Sequence, residues 1–226
     1  MRIAISLSLV AVVTFLGYWL VLDQRKYSEA MAYNQRGNAF NELKSYDDAI
    51  EHYQQAIKIK VNFAEAYNNL GSALRHNGKL NESVANYKEA IRFKSDYAEA
   101  YSNLGLTLSE QGEFGEAIDQ YQKALKINPD LFQVHNSIAI LLAQRVDFSG
   151  AIAHYGKAIT LYPDFSKAHN NLGSTLAQLG RFEEATAHFE RAISIDPSYV
   201  DARKNLELAR SLSGKKVSAK IKQEIR

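Results

Sequence analysis

The sequence predicts an all-α protein made of repeated helical hairpins behind one apolar N-terminal helix. Similar segments recur with a period of 34 residues, and the chain opens with twenty residues, Ile3 to Leu22, that carry no charge. A fixed period of this length is typical of stacked helical hairpins. Only three prolines occur in 226 residues, which suits a helical chain. We therefore predict five repeats and a capping helix in one solenoid, with one N-terminal transmembrane helix.

The segment Ile3 to Leu22 is long enough to cross a bilayer, since twenty helical residues span about 30 Å. Tyr18 and Trp19 lie near its end, where aromatic rings favour the membrane interface. The run is longer than a usual signal-peptide core, and no small-x-small cleavage site follows it directly. We predict that residues 1–26 form an uncleaved single-pass anchor, with a cleaved signal peptide and a buried core helix as alternatives. The short N-terminal tail favours a periplasmic or lumenal side for the repeats.

Five copies of the repeat fit one frame without insertion, within a predicted solenoid of residues 27–212. They begin at residues 30, 64, 98, 132 and 166. Repeat position 8 is glycine in four copies and Ala139 in the fourth repeat, position 20 is small, position 24 is aromatic and position 27 is always alanine. Small residues let two helices approach closely, and the rings fill the space between them. One hairpin cannot bury its apolar face alone, so we expect neighbouring hairpins to stack.

Turn residues separate the two apolar stretches of each repeat and mark the end of the array. Gly78, Gly112 and Gly180 stand where a first helix would end in a left-handed residue. Residues 200–212 continue the frame with Glu207 in place of the position-8 glycine, and we predict a capping helix there. Residues 213–226 form a basic tail, for which a solvated tail is favoured over contact with anionic lipid or nucleic acid.

Asparagine recurs at repeat positions 5 and 6, where helix propensity gives no local reason for it. An amide both donates and accepts hydrogen bonds, so a ladder of amides can hold the backbone of an extended peptide whatever its side chains. The alternative is that these side chains only solvate or cap the helices. The predicted peptide-binding residues are Asn34, Asn68, Asn69, Asn103, Asn136, Asn170, Asn171 and Asn205.

The repeat pattern over residues 30 to about 199 resembles the tetratricopeptide-repeat family, with an aromatic residue at position 4, Leu-Gly at positions 7 and 8, alanine at positions 20 and 27 and proline at position 32. The resemblance implies a right-handed solenoid whose first helices line a concave groove with positions 2, 5, 6, 9, 12 and 13. The amides resemble the asparagine ladder of O-linked N-acetylglucosamine transferases, although Ser137 interrupts it and the catalytic half of those enzymes is missing.

Nothing in the sequence predicts catalysis or a cofactor. The chain lacks cysteine, a nucleophile elbow, a phosphate-binding loop and a dinucleotide fingerprint. Histidine recurs at repeat positions 4 and 23, which we interpret as one packing or solvent position seen several times. Metal ligation by His154 and His188 from adjacent helices is the alternative. We predict a non-enzymatic protein without cofactors or metals.

The predicted function is that of a membrane-anchored adaptor that binds an extended segment of another protein in its groove and supports assembly of a protein complex. A structural module that self-associates, or docks through its convex face, is the alternative. The expected partners are a protein or peptide in extended conformation and, through the N-terminal helix, a membrane. The net charge of +2 gives no reason to expect nucleic acid.

Overall fold

A computed structural model of the protein describes the backbone of residues 2–224 and the side chains of residue 15 and residues 17–214. The described backbone is all-α, as predicted, with eleven helices and no strand. The helices are α1 (Arg2–Glu42), α2 (Tyr46–Ile59), α3 (Ala64–His76), α4 (Leu80–Phe93), α5 (Ala98–Glu110), α6 (Phe114–Ile127), α7 (Phe132–Gln144), α8 (Phe148–Leu161), α9 (Ser166–Gln178), α10 (Phe182–Ile195) and α11 (Val200–Glu224).

The chain forms two compact units, Met1–Glu113 and Phe114–Arg226. Within the first unit, α1 packs on α2, α2 on α3, α3 on α4 and α4 on α5. Within the second unit, each helix from α6 to α10 packs on the next. The odd-numbered helices, called first helices below, also contact one another inside each unit: α1 with α3, α3 with α5, α7 with α9 and α9 with α11.

Helix starts follow the 34-residue frame. Four first helices begin at repeat position 1, which is Ala64, Ala98, Phe132 or Ser166. Apolar residues at helical spacing give each short helix one buried face. In the second unit these faces meet in a core that includes Ala139, Tyr155, Leu172, Phe189 and Ala209.

Small and aromatic residues occupy the core positions that the sequence predicts for them. The alanines at position 27 of the first two and last two repeats have no exposed surface. The rings at position 24 of those repeats, Tyr53, Tyr87, Tyr155 and Phe189, are among the most buried side chains of the described residues. The ring of Tyr87 lies so close to Gly71 that a Cβ on this glycine would stand 2.8 Å from Cε1 of the ring. The absence of a side chain at position 8 therefore sets how closely the two helices of a repeat approach.

Every first helix up to α9 is followed by a left-handed residue at position 15. Gly78, Gly112 and Gly180 have φ of 77°, 86° and 71°, which confirms the left-handed turns predicted at these glycines. Lys44 and Val146 adopt the same conformation, with φ of 59° and 64°. These two turns were not predicted, because neither residue favours this region, and a β-branched residue such as valine is strained there.

Two elements differ from the predicted boundaries. Helix α1 runs without a break from Arg2 to Glu42, so the predicted anchor and the first helix of the first repeat are one helix. Helix α11 does not end at Leu212 but continues through Ser213 and Gly214 to Glu224. The added residues are mostly good helix formers and include no proline, so nothing stops the helix at the predicted end.

The predicted membrane span, residues 3–22, falls mostly on side chains outside the described residues, since those of residues 1–14 and 16 are not described. Among the residues that the structure does describe, no helix offers an apolar stretch of sufficient length to cross a bilayer.

The close approach at position 8 predicts opposite effects for two glycine-to-alanine substitutions. Gly71→Ala should lower the free energy of unfolding by about 1–3 kcal/mol, because the new methyl group must push the buried Tyr87 ring aside. Gly156→Ala, also inside a helix but with no atom within 4 Å of the new Cβ, should raise it by about 0.5–1 kcal/mol. Urea unfolding of the two variants measures both effects, and equal stabilisation by both would contradict this account of position 8.

Candidate peptide-binding face

The candidate site is the face on which neighbouring first helices present repeat positions 5, 6, 9, 12 and 13. We call it the first-helix face and describe it separately in each unit. In the first unit it is built by α1, α3 and α5, and in the second unit by α7, α9 and α11. All eight asparagines predicted from the sequence lie on these helices.

Hydrogen bonds join the predicted asparagines in pairs across neighbouring first helices. In each pair, Nδ2 of the position-6 asparagine donates to Oδ1 of the position-5 asparagine one repeat earlier, over 3.0–3.2 Å. The pairs are Asn69 to Asn34 and Asn103 to Asn68 in the first unit, and Asn171 to Asn136 and Asn205 to Asn170 in the second. The two recurring positions therefore form one hydrogen-bonded contact between consecutive repeats, which we call the amide clamp.

The position-5 asparagines are buried inside this clamp. Asn68 is only 1% exposed, its Oδ1 accepts from Asn103, and its Nδ2 donates to Oε1 of Glu99 over 3.2 Å. Loss of such a buried partner would leave other polar groups without a hydrogen bond, at a cost of about 1–3 kcal/mol. The four position-5 side chains thus leave little surface for a ligand, and their geometry suits the joining of repeats.

The position-6 asparagines are half-exposed, and the clamp uses only some of their hydrogen-bonding groups. Nδ2 of Asn171 uses one N–H to reach Asn136. Its second N–H and its Oδ1 have no partner among the described residues, and the same holds for Asn205. Each such amide therefore keeps one donor and one acceptor on the surface, which is what a peptide unit needs.

Serine replaces asparagine at position 5 of the third repeat, Ser102, and at position 6 of the fourth, Ser137. The Ser137 hydroxyl instead donates to the carbonyl oxygen of Gln133, one turn earlier in its own helix, over 3.0 Å. The interruption that the sequence shows in the ladder is therefore also an interruption in the hydrogen bonding of position 6.

The first repeat reinforces its clamp with a tyrosine. The Tyr53 hydroxyl donates to Oδ1 of Asn38 over 2.8 Å, and the same oxygen accepts from Nδ2 of Asn69 over 3.1 Å. Burial, with a smaller contribution from Glu42, raises the pKa of Tyr53 to about 12, so the hydroxyl keeps its hydrogen and remains a donor. Asn69 is thereby held by two acceptors.

Two hollows open on the first-helix face of the second unit, one repeat apart. The first, of about 500 Å³, is lined by residues that include Ile140, Ala143, Val146, Tyr155 and Asn171. The second, of about 260 Å³, is lined by residues that include Ala177, Phe189, Asn205, Leu208 and Leu212. In the repeat frame both hollows use positions 9, 12 and 24 of one repeat and positions 6, 9, 10 and 13 of the next. No charged residue lines either hollow.

In the first unit, an ion pair occupies the corresponding repeat positions. Nη1 of Arg75, at position 12, lies 2.7 Å from Oε1 of Glu110, at position 13 of the next repeat. The equivalent residues in the second unit are Ala143 with Gln178 and Ala177 with Leu212. At positions 12 and 13, the first-helix face therefore carries an ion pair between α3 and α5 and uncharged residues in the second unit.

Histidines at positions 4 and 23 meet inside single repeats of the second unit. Nδ1 of His135 lies 3.0 Å from Nδ1 of His154, and Nδ1 of His169 lies 3.1 Å from Nδ1 of His188. The ring centroids are 5.2 and 5.3 Å apart, close to the largest separation that these nitrogen distances permit. The two nitrogens of each pair thus face each other nearly in line, which is the geometry of a shared hydrogen rather than of two ligands converging on one ion.

The tautomers of these pairs follow from their other contacts. Nε2 of His135 lies 3.2 Å from the carbonyl oxygen of Pro129, which can only accept, so we assign the hydrogen to this Nε2. Nδ1 of neutral His135 then accepts from Nδ1–H of His154. Nε2 of His169 meets the carbonyl oxygen of Pro163 in the same way. Among the described residues no cluster of three or more metal-ligating side chains occurs.

Burial lowers the pKa of all four paired histidines below its usual value. The hydrogen bonds to the carbonyl oxygens of Pro129 and Pro163 act against burial and raise the pKa of His135 and His169. Lys157 and Arg191 add smaller contributions that lower these two pKa values. The pKa of each partner, His154 and His188, is lowered by burial and then by the other ring of its pair. The pairs are therefore neutral when the protein is folded at neutral pH.

Family models match most of the repeat region. A model described as TPR repeat matches residues 37–78, 71–112 and 142–180, just over half of the chain. A model described as Tetratricopeptide repeat matches residues 98–131 and 166–199. The chain belongs to the tetratricopeptide-repeat (TPR) family. A search among curated proteins finds no match.

Solved TPR structures share the fold of the chain. MamA is 25% identical, with 71% of this chain and 94% of MamA covered and a TM-score of 0.65. YrrB, described as a TPR protein with an unusual peptide-binding site, is 20% identical, with 83% and 96% covered and a TM-score of 0.64. TTC0263, a thermophilic TPR protein of Thermus thermophilus, is 22% identical, with 80% and 98% covered and a TM-score of 0.63. These structures support the predicted TPR solenoid.

The frame of the TPR repeat contains a sequence signal for the histidine pairs. The two repeats with histidine at position 4 are also repeats with histidine at position 23. In the first repeat the same two positions hold Tyr33 and His52, whose rings lie 6.0 Å apart. Positions 4 and 23 are thus a contact between the two helices of one TPR hairpin, and co-occurrence at that contact pointed to a pair.

The buried histidine pairs predict a loss of stability in weak acid. In the unfolded chain each histidine takes up a proton near its ordinary pKa of about 6.5, whereas the folded pairs stay neutral to lower pH. Unfolding therefore binds protons, and the stability contribution of the pairs, complete above about pH 7, is lost as pH falls below about 6.5.

Thermal melting between pH 7.5 and 5 measures this effect by comparing the wild type with a variant whose substitutions copy the residues of another repeat. The double substitution His169→Tyr with His188→Asn copies Tyr67 and Asn86, which hold the same positions in the second repeat. Its melting temperature should fall less steeply with acid than that of the wild type. Parallel curves for the two proteins would contradict the assignment of neutral pairs.

Proposed function

We propose that the protein is a membrane-anchored TPR scaffold that holds an extended segment of a partner protein along the position-6 amides of its first-helix face and so supports assembly of a protein complex. The observation that carries the proposal is the row of position-6 amides at the surface, of which Asn171 and Asn205 each keep a donor and an acceptor beyond the clamp. The position-5 asparagines, also predicted to bind peptide, have in this proposal the role of holding the position-6 amides in place.

The clamp makes the row suitable for binding. Each position-6 side chain is fixed by its hydrogen bond to the previous repeat, so little side-chain entropy is lost when a ligand arrives. An amide that bonds a peptide unit reads the backbone rather than the side chains, which suits a scaffold for extended segments. We extend to this chain the likeness of its amides to the asparagine ladder of O-linked N-acetylglucosamine transferases. The peptide-binding site named for the TPR protein YrrB is consistent with the same use of the fold.

A crosslinking pull-down from native membranes tests whether the position-6 amides of the first-helix face bind the partner. Replacement of Asn69, Asn103 and Asn171 by alanine should abolish capture of the partner. It should also lower the melting temperature, because each substitution removes the donor to a buried position-5 asparagine, so capture is compared at a temperature at which circular dichroism shows all the proteins to be folded. The matched control replaces the exposed amides Gln54 and Gln122, on second helices, by alanine and should capture as well as the wild type. Equal capture by all three proteins would refute the role of the position-6 amides and direct the search to the opposite face.

The proposed anchor is the N-terminal part of α1. Five apolar side chains there are more than half exposed and point in all directions around the helix: Phe15, Tyr18, Trp19, Leu20 and Val21. An exposed apolar surface of this kind is typical of a segment that is covered by lipid or by another protein. With the uncharged residues that precede it in the sequence, the segment has the length and the interfacial aromatic rings of a membrane helix.

Membrane fractionation tests the anchor. The full chain should stay in the membrane pellet after extraction with alkaline carbonate and should enter solution only with detergent. The matched variant carries Leu16→Lys and Leu20→Lys, which should release it into the carbonate supernatant because two charges within the span make insertion costly. Release of the wild-type chain by carbonate alone would rule out a spanning helix.

A further inference from the structure

The two hollows of the second unit indicate which class of extended segment the proposed scaffold would bind. We propose that this unit binds an uncharged segment in the polyproline II conformation that carries an apolar side chain at every third residue. The inference rests on the proposed function, since it places the backbone of the segment along the position-6 amides, and it adds the class of sequence that is bound.

The two hollows are lined by equivalent residues of consecutive repeats. The ring of Tyr155 lines the first and that of Phe189 lines the second, and both rings hold repeat position 24. Asn171 lines the first and Asn205 the second, and both asparagines hold position 6. Each repeat of the second unit therefore offers the same pair of features, one apolar hollow and one amide with a donor and an acceptor to spare.

The spacing of the hollows selects the conformation of the ligand. Packed helices lie about 8–10 Å apart, and the two hollows are displaced by one first helix, from α7–α9 to α9–α11. A polyproline II helix has three residues per turn and a rise of about 3.1 Å, so every third side chain points the same way about 9 Å further on. In a β-strand, side chains on one face recur after about 6.6–6.8 Å, which does not match.

The hydrogen-bonding groups of the face suit the same conformation. A polyproline II segment has no internal hydrogen bonds, so its carbonyl groups are open to the spare N–H groups of Asn171 and Asn205. The hydroxyls that line the hollows need no hydrogen-bond acceptor on the ligand. Ser174 donates to the carbonyl oxygen of Asn170 and Thr175 to that of Asn171, each over 3.0 Å and within their own helix. The ligand side chain thus meets hydroxyls that are already hydrogen-bonded, while the glutamines Gln144 and Gln178 that also line the hollows are exposed to water.

Charge complementarity fixes the chemistry of the ligand side chains. Neither hollow has a charged lining residue, so a charged ligand side chain would lose its hydration without gaining a partner. In the first unit the equivalent positions hold the Arg75–Glu110 ion pair between α3 and α5, and Asn41 with His76 between α1 and α3. An apolar side chain such as leucine is therefore the group that fits the second unit.

Val146 at the rim of the first hollow supports a binding role for this surface. Its side chain is 69% exposed, and its φ of 64° is strained for a β-branched residue. Three other repeats hold glycine at this position, where glycine adopts such a φ without strain. Stability alone favours glycine here, so contact with a ligand gives the exposed valine a reason to be present.

Synthetic peptides test the proposal by fluorescence anisotropy on the full chain in detergent micelles. The probe is a labelled, end-blocked twelve-residue peptide with the sequence Leu-Pro-Pro repeated four times. Its control has the same composition with no two leucines three residues apart, and circular dichroism checks that both are polyproline II helices. The wild type should bind the periodic peptide about tenfold more tightly, the gain expected from burying one more leucine side chain.

Variants that fill the hollows should remove this preference. Ala143→Arg with Gln178→Glu, combined with Ala177→Arg and Leu212→Glu, transfers the Arg75–Glu110 pair of the first unit into both hollows. This protein should bind the two peptides equally and weakly. Val146→Gly is the second variant, which should raise the melting temperature and yet weaken binding of the periodic peptide; unchanged binding would show that the valine contacts no ligand and would count against the proposal.

The results separate this inference from the proposed function. If Asn171→Ala with Asn205→Ala weakens both peptides and the wild type does not distinguish them, the amides bind backbone and the every-third-residue rule is wrong. If the wild type binds neither peptide, the rule is also wrong, and the pull-down decides the scaffold function independently. Preference for the periodic peptide that survives the ion-pair transfer would place recognition outside the hollows and overturn the proposal.

Discussion

The contact between the ring at position 24 and the bare backbone at position 8 is the constraint on which the other features of each repeat depend. In the second repeat it brings α3 and α4 together until a single added Cβ on Gly71 would collide with Tyr87. Because the two helices of a hairpin are fixed at this distance, their outer residues also have fixed places. Position 4 then meets position 23, and the first helix presents its positions 5 and 6 toward the neighbouring repeat.

Buried polar groups join consecutive repeats in addition to apolar contacts. An asparagine inside a helix is a poor choice for local stability, and an unpaired one in a core is costly. Paired across two first helices, the same amides satisfy each other and fix the register between repeats, since a shift of one residue would separate donor from acceptor. The position-6 asparagine of each pair, which reaches the surface, is held in place by its position-5 partner. This rigidity makes the row of amides suited to binding.

The two units use one repeat frame to make two different surfaces. In the first unit, Arg75 and Glu110 neutralise each other on the first-helix face, so that this part of the face is polar and filled. In the second unit, alanine at position 12 leaves open space above the rings of Tyr155 and Phe189. A change of two residues per repeat thus converts a closed, charged surface into an open, apolar one, while the core positions 8, 24 and 27 stay nearly the same.

The sequence by itself determined the repeat frame, the helix starts at residues such as Ala64 and Ser166, the core residues and the left-handed glycine turns, because each follows from local spacing and from residue size. It also identified the asparagines of the candidate site. Only the tertiary structure decided which of them are accessible: positions 5 and 6 are adjacent in the chain, but the neighbouring helix buries one and leaves the other half-exposed. The histidine pairs and the hollows likewise join residues from different helices, and the left-handed Val146 opposes its own local preference, so packing between elements had to decide them.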